Sequence, residues 1–156
     1  MASISASSSR LTFFDDLVRC ETRLYNAVGE RLRAEHGLST SQYELLHRLA
    51  DRPASRVADL ATYFAAGVGA VSKMVDRSEA RGWVRRVPNP DDRRSSLIEL
   101  TATGAALVAE ARRTFDARLH ELLEAVLTPD DVAVVASALA ALRRSLEAQQ
   151  LGLPVG

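Results

Sequence analysis

Trp83-Val84-Arg85-Arg86-Val87 and Leu97-Ile98-Glu99-Leu100, linked through Pro88-Asn89-Pro90-Asp91-Asp92, are the stretch whose reading decides the fold. Both flanks are short and rich in strand-forming residues, and the link is a dense turn signal, so together they predict a β-hairpin. Two short helices are expected just before it. In the first, Val57, Leu60, Ala61 and Phe64 form an apolar stripe that Ser55 is placed to cap; the second starts near Val68 after Gly67, turns Val71, Met74 and Val75 inward, and ends at Gly82. Two short helices with a glycine in the turn predict a helix-turn-helix, and a hairpin hung on it predicts a winged helix.

Working outward, Phe14, Leu17, Leu24, Val28 and Leu32 mark one face of a helix running from Leu11 to Glu35, which Gly37 closes. Ser39 and Gln42 have capping-box spacing before a helix through Tyr43, Leu45, Leu46 and Leu49 that stops ahead of Pro53. On the other side, Thr101 can cap a helix carrying Val108, Ala111, Phe115, Leu119, Leu122 and Val126. Thr128-Pro129-Asp130-Asp131 then restarts the chain as a helix whose Val132, Val135, Leu139, Leu142 and Leu146 form a packing seam. The expected architecture is mainly α with a small β-hairpin wing, a winged helix-turn-helix flanked by long N- and C-terminal helices. Residues 38–101 form the winged helix, 11–37 and 102–149 a helical dimerisation region, and 1–10 and 150–156 flexible tails. The long helices are too apolar on one face for a small winged helix to cover, so a symmetric homodimer is expected.

Composition narrows the function. With 156 residues the chain is one domain long, and its single cysteine, Cys20, excludes an internal disulfide scaffold. No signal-like start or long apolar run appears, so a cytoplasmic protein without a membrane span is expected. No phosphate loop, nucleophile elbow, paired carboxylates or metal motif is present, and Gly67-Val68-Gly69 is too short and too lysine-poor for a P-loop. An enzyme, a cofactor and a metal are therefore not expected. His36, His47 and His120 are scattered rather than spaced as ligands.

The 20 basic and 20 acidic residues cancel overall, but residues 68–94 hold seven basic against four acidic side chains. That segment is net +3 and the remainder net −3. Positive charge is thus concentrated where a winged helix meets nucleic acid. Arg77-Ser78-Glu79-Ala80-Arg81-Gly82-Trp83-Val84-Arg85-Arg86, with Asp91-Asp92-Arg93-Arg94-Ser95-Ser96-Leu97-Ile98-Glu99-Leu100-Thr101-Ala102-Thr103-Gly104, resembles the winged-helix core of MarR-type transcription regulators. Leu38-Ser39, Gln42-Tyr43 and the long flanking helices also fit, so the resemblance spans roughly 11–146. It implies a homodimeric, sequence-specific DNA-binding regulator, in most cases a repressor, released from a near-palindromic double-stranded operator by a small phenolic or aromatic ligand or by oxidation.

In that resemblance Arg94 is the wing-tip arginine, suited to a narrow minor groove. Asp92 orients the wing or pairs with a neighbouring arginine, Arg93 meets phosphate, and Arg85 adds charge to the hairpin. Ser72, Lys73 and Arg77 of the second short helix can reach the major groove or its rim. Gly67-Val68-Gly69-Ala70 departs from the family pattern by offering no side-chain donors at that helix's start, and Gly69 costs it roughly 1 kcal/mol relative to Ala. Ser78 stands where leucine is common, an expected loosening of the packing beneath the helix.

For an effector, the resemblance puts Arg23, Tyr25, His47 and Phe115 nearest the pocket, although Tyr25 and Phe115 lie on apolar stripes that favour core packing over ligand contact. A thiol-based redox sensor using Cys20 is the alternative; Cys20 falls on the apolar stripe between Leu17 and Leu24, which favours an inert buried cysteine. A winged helix devoted to protein contacts, without DNA binding, is the remaining reading, favoured only by the glycines at 67 and 69.

Overall fold

A computed structural model describes residues 2–154. Residue 1 and residues 155–156, the ends of the expected tails, lie outside the described residues. The order of elements is α1 (Ala2–His36), α2 (Thr40–Asp51), β1 (Ser55–Arg56), α3 (Val57–Tyr63), α4 (Val68–Ala80), β2 (Val84–Pro88), β3 (Ser96–Leu100), α5 (Ala102–Glu124) and α6 (Pro129–Ala148). The fold is mainly helical with a three-stranded antiparallel sheet in the order β1-β3-β2.

Local chemistry sets most of the boundaries. Ser39 accepts the Gln42 backbone N–H while the Gln42 side chain accepts the N–H of Ser39, so the capping box opens α2. Thr101 accepts from Gly104 N at the start of α5, and Thr128 and Asp131 form a second capping box at α6, with Pro129 in the first turn. Gly37 and Gly82 take the left-handed backbone, at φ 66° and 73°, that ends α1 and α4. Backbone helix in α1 already begins at Ala2, upstream of Leu11 where the apolar stripe starts.

Two sequence expectations change here. Ser55 does not cap α3: it lies in β1, opposite Ile98, and its hydroxyl donates to the Arg52 carbonyl. The cap position belongs to Arg56, whose backbone N–H donates to Asp59 Oδ2 at 3.2 Å. Val126 does not continue the α5 stripe either, since the helix ends at Glu124 and Val126 is exposed in the following turn.

The core lies where α1, α2, α4, α5 and the sheet meet. Leu32, Leu38, Leu45, Leu46, Leu49, Leu60, Val71, Val75 and Ile98 are fully buried there. Tyr43 is also buried, its ring stacked between Phe115 of α5 and His47 at centroid distances of 4.6 and 5.6 Å. Ser78 is completely buried and its hydroxyl donates to the Met74 carbonyl, so the polar side chain below α4 is satisfied within its own helix. Polar contacts tie α1 to α5: Thr114 donates to Glu35 and accepts from His36, each at 2.8 Å.

Outside this core the long helices are bare. α6 turns away from α5 by 110° and has no buried residue; Val134, Val135, Leu139, Leu142 and Leu146 are exposed. Leu11, Phe13, Phe14 and Val18 in the first half of α1 are exposed as well. Among the described residues no single helix is long and apolar enough to cross a membrane.

Candidate nucleic-acid interface

Helix α4 buries Val71, Val75 and Ser78, which leaves Lys73, Asp76 and Arg77 on its exposed side. Ser72 is half-buried at the edge of that face. Arg77 donates from Nε to the Lys73 carbonyl, which holds its guanidinium along the helix. Behind α4, Arg81 stacks on the Trp83 ring at 4.6 Å.

The wing is a hairpin in regular register, from Val84 opposite Leu100 to Pro88 opposite Ser96. Its tip is organised by two side chains. Asp92 Oδ1 accepts the backbone N–H of Arg94 at 3.0 Å, and Asn89, buried to 8% exposure, accepts from Asp91 N and donates to the Ser95 hydroxyl. Asp92 thus shapes the loop, and Arg93 and Arg94 beside it are exposed to solvent. Asn89 is a structural residue of the wing tip that sequence reasoning read only as part of a turn signal. β1 also brings Arg56 close enough to the wing for the Asp92 charge to favour its protonated form, beside the larger effect of its own pair with Asp59.

Pairing decides which cations remain available. Arg85 sits directly across the ladder from Glu99 and binds its carboxylate at 3.0 Å, so its charge is spent within the wing. Arg86, outside the predicted set, reaches back to α4, where it pairs with Asp76 and Glu79 and donates its backbone N–H to Glu79. This clamp sets one guanidinium against the two acids of α4, halving their charge, and ties the wing to that helix. Lys73, Arg77, Arg93 and Arg94 have no carboxylate within ion-pair distance among the described residues.

The four expected effector residues are not gathered into one place. Tyr25 lines an open groove of about 700 Å³ between α1, α2 and α4, together with Glu21, Glu44, Phe64, Met74 and Arg77. His47 lines a separate apolar groove against α5, near Asp51 at 3.6 Å, and shares with Phe115 the aromatic stack on Tyr43. Arg23 is exposed on α1 and lines neither groove. Cys20 is exposed, against the expectation of a buried cysteine, because α1 joins the core only from about Leu24 onward. His36, His47 and His120 remain apart, on Thr114, Asp51 and Glu124.

Known proteins share this arrangement. The MarR family profile matches residues 38–96. The "Multiple antibiotic resistance protein MarR" of Escherichia coli is 32% identical over 116 residues, covering 72% of this chain and 81% of its own length. "HTH-type transcriptional repressor NicR" of Pseudomonas putida is 32% identical over 59% of this chain and 58% of its own. Among solved structures, a mutant of the Escherichia coli MarR protein complexed with operator DNA superposes with a TM-score of 0.76 at 25% identity, covering 85% of this chain and 95% of its own. A MarR family transcriptional regulator from Streptomyces coelicolor, solved in complex with DNA, has the same fold with a TM-score of 0.82 at 23% identity over 94% and 93% of the two chains.

Proposed function

Because this chain belongs to the MarR family of winged-helix transcription regulators, we propose that it works as a homodimeric, sequence-specific DNA-binding repressor rather than as an enzyme. The observation that carries the reading is the set of uncompensated cations on two neighbouring elements, Lys73 and Arg77 on α4 and Arg93 and Arg94 at the wing tip, while Arg86 holds the intervening acids. In this reading α4 enters the major groove, with Ser72, Lys73 and Arg77 at base edges and phosphates, and the wing lays Arg94 in the adjacent minor groove. Arg85 and Asp92 keep the wing in shape, and Arg93 meets the backbone. The side-chain-poor start of α4 leaves much of the specificity to groove shape.

Residues 11–37 and 102–149 serve as the dimerisation region, supported by the apolar side chains that α1 and α6 leave exposed. Residues 38–101 bind DNA. A two-fold dimer places two α4 helices in successive major grooves, so the operator is a near-palindrome of roughly 15 to 20 base pairs. A small aromatic effector lowers DNA affinity; Tyr25 and Phe64 supply aromatic walls beside α4. The exposure of Cys20 favours a second reading, oxidation as the releasing signal, which predicts that peroxide weakens DNA binding of the wild type and not of Cys20→Ser.

Fluorescence anisotropy with the DNA upstream of the protein's own gene, against a scrambled duplex and across a salt series, tests the proposal. Tight binding that is sequence-selective and falls steeply with salt is the expected result. Negligible binding to either duplex at low salt would refute it and favour a protein-contact module. In the same assay Arg94→Ala is expected to weaken binding by about 1 to 3 kcal/mol, and wild-type affinity in that variant would remove Arg94 from the interface.

A further inference from the structure

Every exposed large apolar side chain among the described residues lies on α1, on α6 or in the turns that follow α5 and α6, with two exceptions, Tyr63 and Val68. Tyr63 of α3 is covered on one face by the Arg48 guanidinium, 3.9 Å from its ring centroid. Val68 opens α4 and is 58% exposed. Its neighbours add little to the surface. Gly67 at the N-cap and Gly69 carry no side chain, a methyl group added at either would meet nothing within 4 Å, and Ala70 is exposed. The first turn of α4 therefore presents one branched apolar side chain on a backbone that can come close to whatever it faces.

Charge on the following turns selects that surface's partner. Lys73 and Arg77 have no carboxylate within ion-pair distance among the described residues, so a polyanion is drawn to this end of the helix. In a helix-turn-helix the N-terminal residues of the second helix are the ones that reach base edges in the major groove. A valine there neither donates nor accepts, and the one apolar feature of the base edges in that groove is the C5-methyl group of thymine. Set against the amino, carbonyl or ring-nitrogen groups of the other bases, it would strip their water and return no hydrogen bond.

We infer that Val68 is a specificity-determining residue, which selects thymine at one position of each operator half-site by packing on its methyl group. The inference rests on α4 being the major-groove helix of a DNA-binding dimer. It places a direct base contact at a helix start that has no side-chain donors.

Deoxyuridine keeps every hydrogen-bonding group of thymidine and lacks only the methyl. The probe is a symmetric duplex that the wild-type protein enriches from a random pool, with uracil placed at one symmetry-related pair of thymines at a time. Affinity, read by fluorescence anisotropy, is expected to fall at one such pair, by about fourfold for each methyl group and more than tenfold for the two. Val68→Ala, a change on the exposed surface, is expected to lose as much on the thymine duplex and to be indifferent to uracil at that pair. Its salt dependence should match the wild type, because no cation is removed. Indifference of the wild type to uracil at every pair would overturn the inference, as would uracil penalties that Val68→Ala leaves unchanged. If no duplex is enriched, the DNA-binding reading fails and the inference with it; selective binding that ignores uracil sinks the inference alone.

Discussion

Leu139→Asp is expected to convert the proposed dimer to monomers and to remove tight operator binding with it. Leu139 lies in the middle of the α6 stripe, 38% exposed in the single chain, with Leu142 and Leu146 at 42% farther along the same face. None of α6 is buried in the protomer's own core, so the substitution spares the protomer fold. Within a two-fold seam every substitution counts twice, and an unpaired carboxylate in an apolar interface costs about 3 to 5 kcal/mol. The dimer dissociation constant should rise by about ten-thousandfold or more. Light scattering after size exclusion measures the first effect and anisotropy with the full operator the second. A variant that remains dimeric with wild-type affinity would place the interface elsewhere; a monomer that binds the full operator tightly would refute the two-half-site architecture.

Gly104→Ala is expected to cost about 3 kcal/mol or more of folding stability, at the upper end for an overpacked core site. Gly104 is buried in the first turn of α5, and a methyl group there would overlap the carbonyl oxygen of Trp83. That carbonyl cannot retreat freely, because it accepts the Thr101 backbone N–H at 3.0 Å while the Thr101 hydroxyl donates to Gly82 O at 2.7 Å. Backbone meets backbone at the junction of wing and α5, so strain spreads into the hairpin. The melting temperature should fall by about 10 °C in a chain of this size. Gly69→Ala is the contrast: an added methyl meets nothing within 4 Å, and the change should be neutral or slightly stabilising. A Gly104→Ala variant that melts with the wild type would show that the junction yields.

The features legible in the sequence were those whose causes lie within a few residues of one another. Capping at Ser39, Thr101 and Thr128, the glycine stops at 37 and 82, and the Asx turn at Asp92 are contacts between near neighbours, and the residues that make them announce them. The two apolar strand segments about a turn predict their own pairing, which made the wing readable. β1 was not readable: two residues carry no period, and Ser55 becomes strand only because β3 lies beside it. Gly104 could be noticed as part of a motif, but its necessity lies in the approach of Trp83 from a distant part of the chain.

The sequence by itself therefore determined the order of the helices and of the two wing strands, the winged helix and the segment in which positive charge is concentrated. Only the tertiary structure decided which of those charges are free. Glu99 takes Arg85, Arg86 closes on Asp76 and Glu79 across elements and Arg81 lies on the Trp83 ring, while Lys73, Arg77, Arg93 and Arg94 have no carboxylate partner among the described residues. It decided as well that Cys20 is exposed and that Tyr25 lies apart from His47 and Phe115, which both stack on Tyr43. The physical reason is one of range. Helix and turn propensities act along the backbone within a turn or two, whereas an ion pair, an aromatic stack or the accessibility of a thiol depends on what the fold brings alongside.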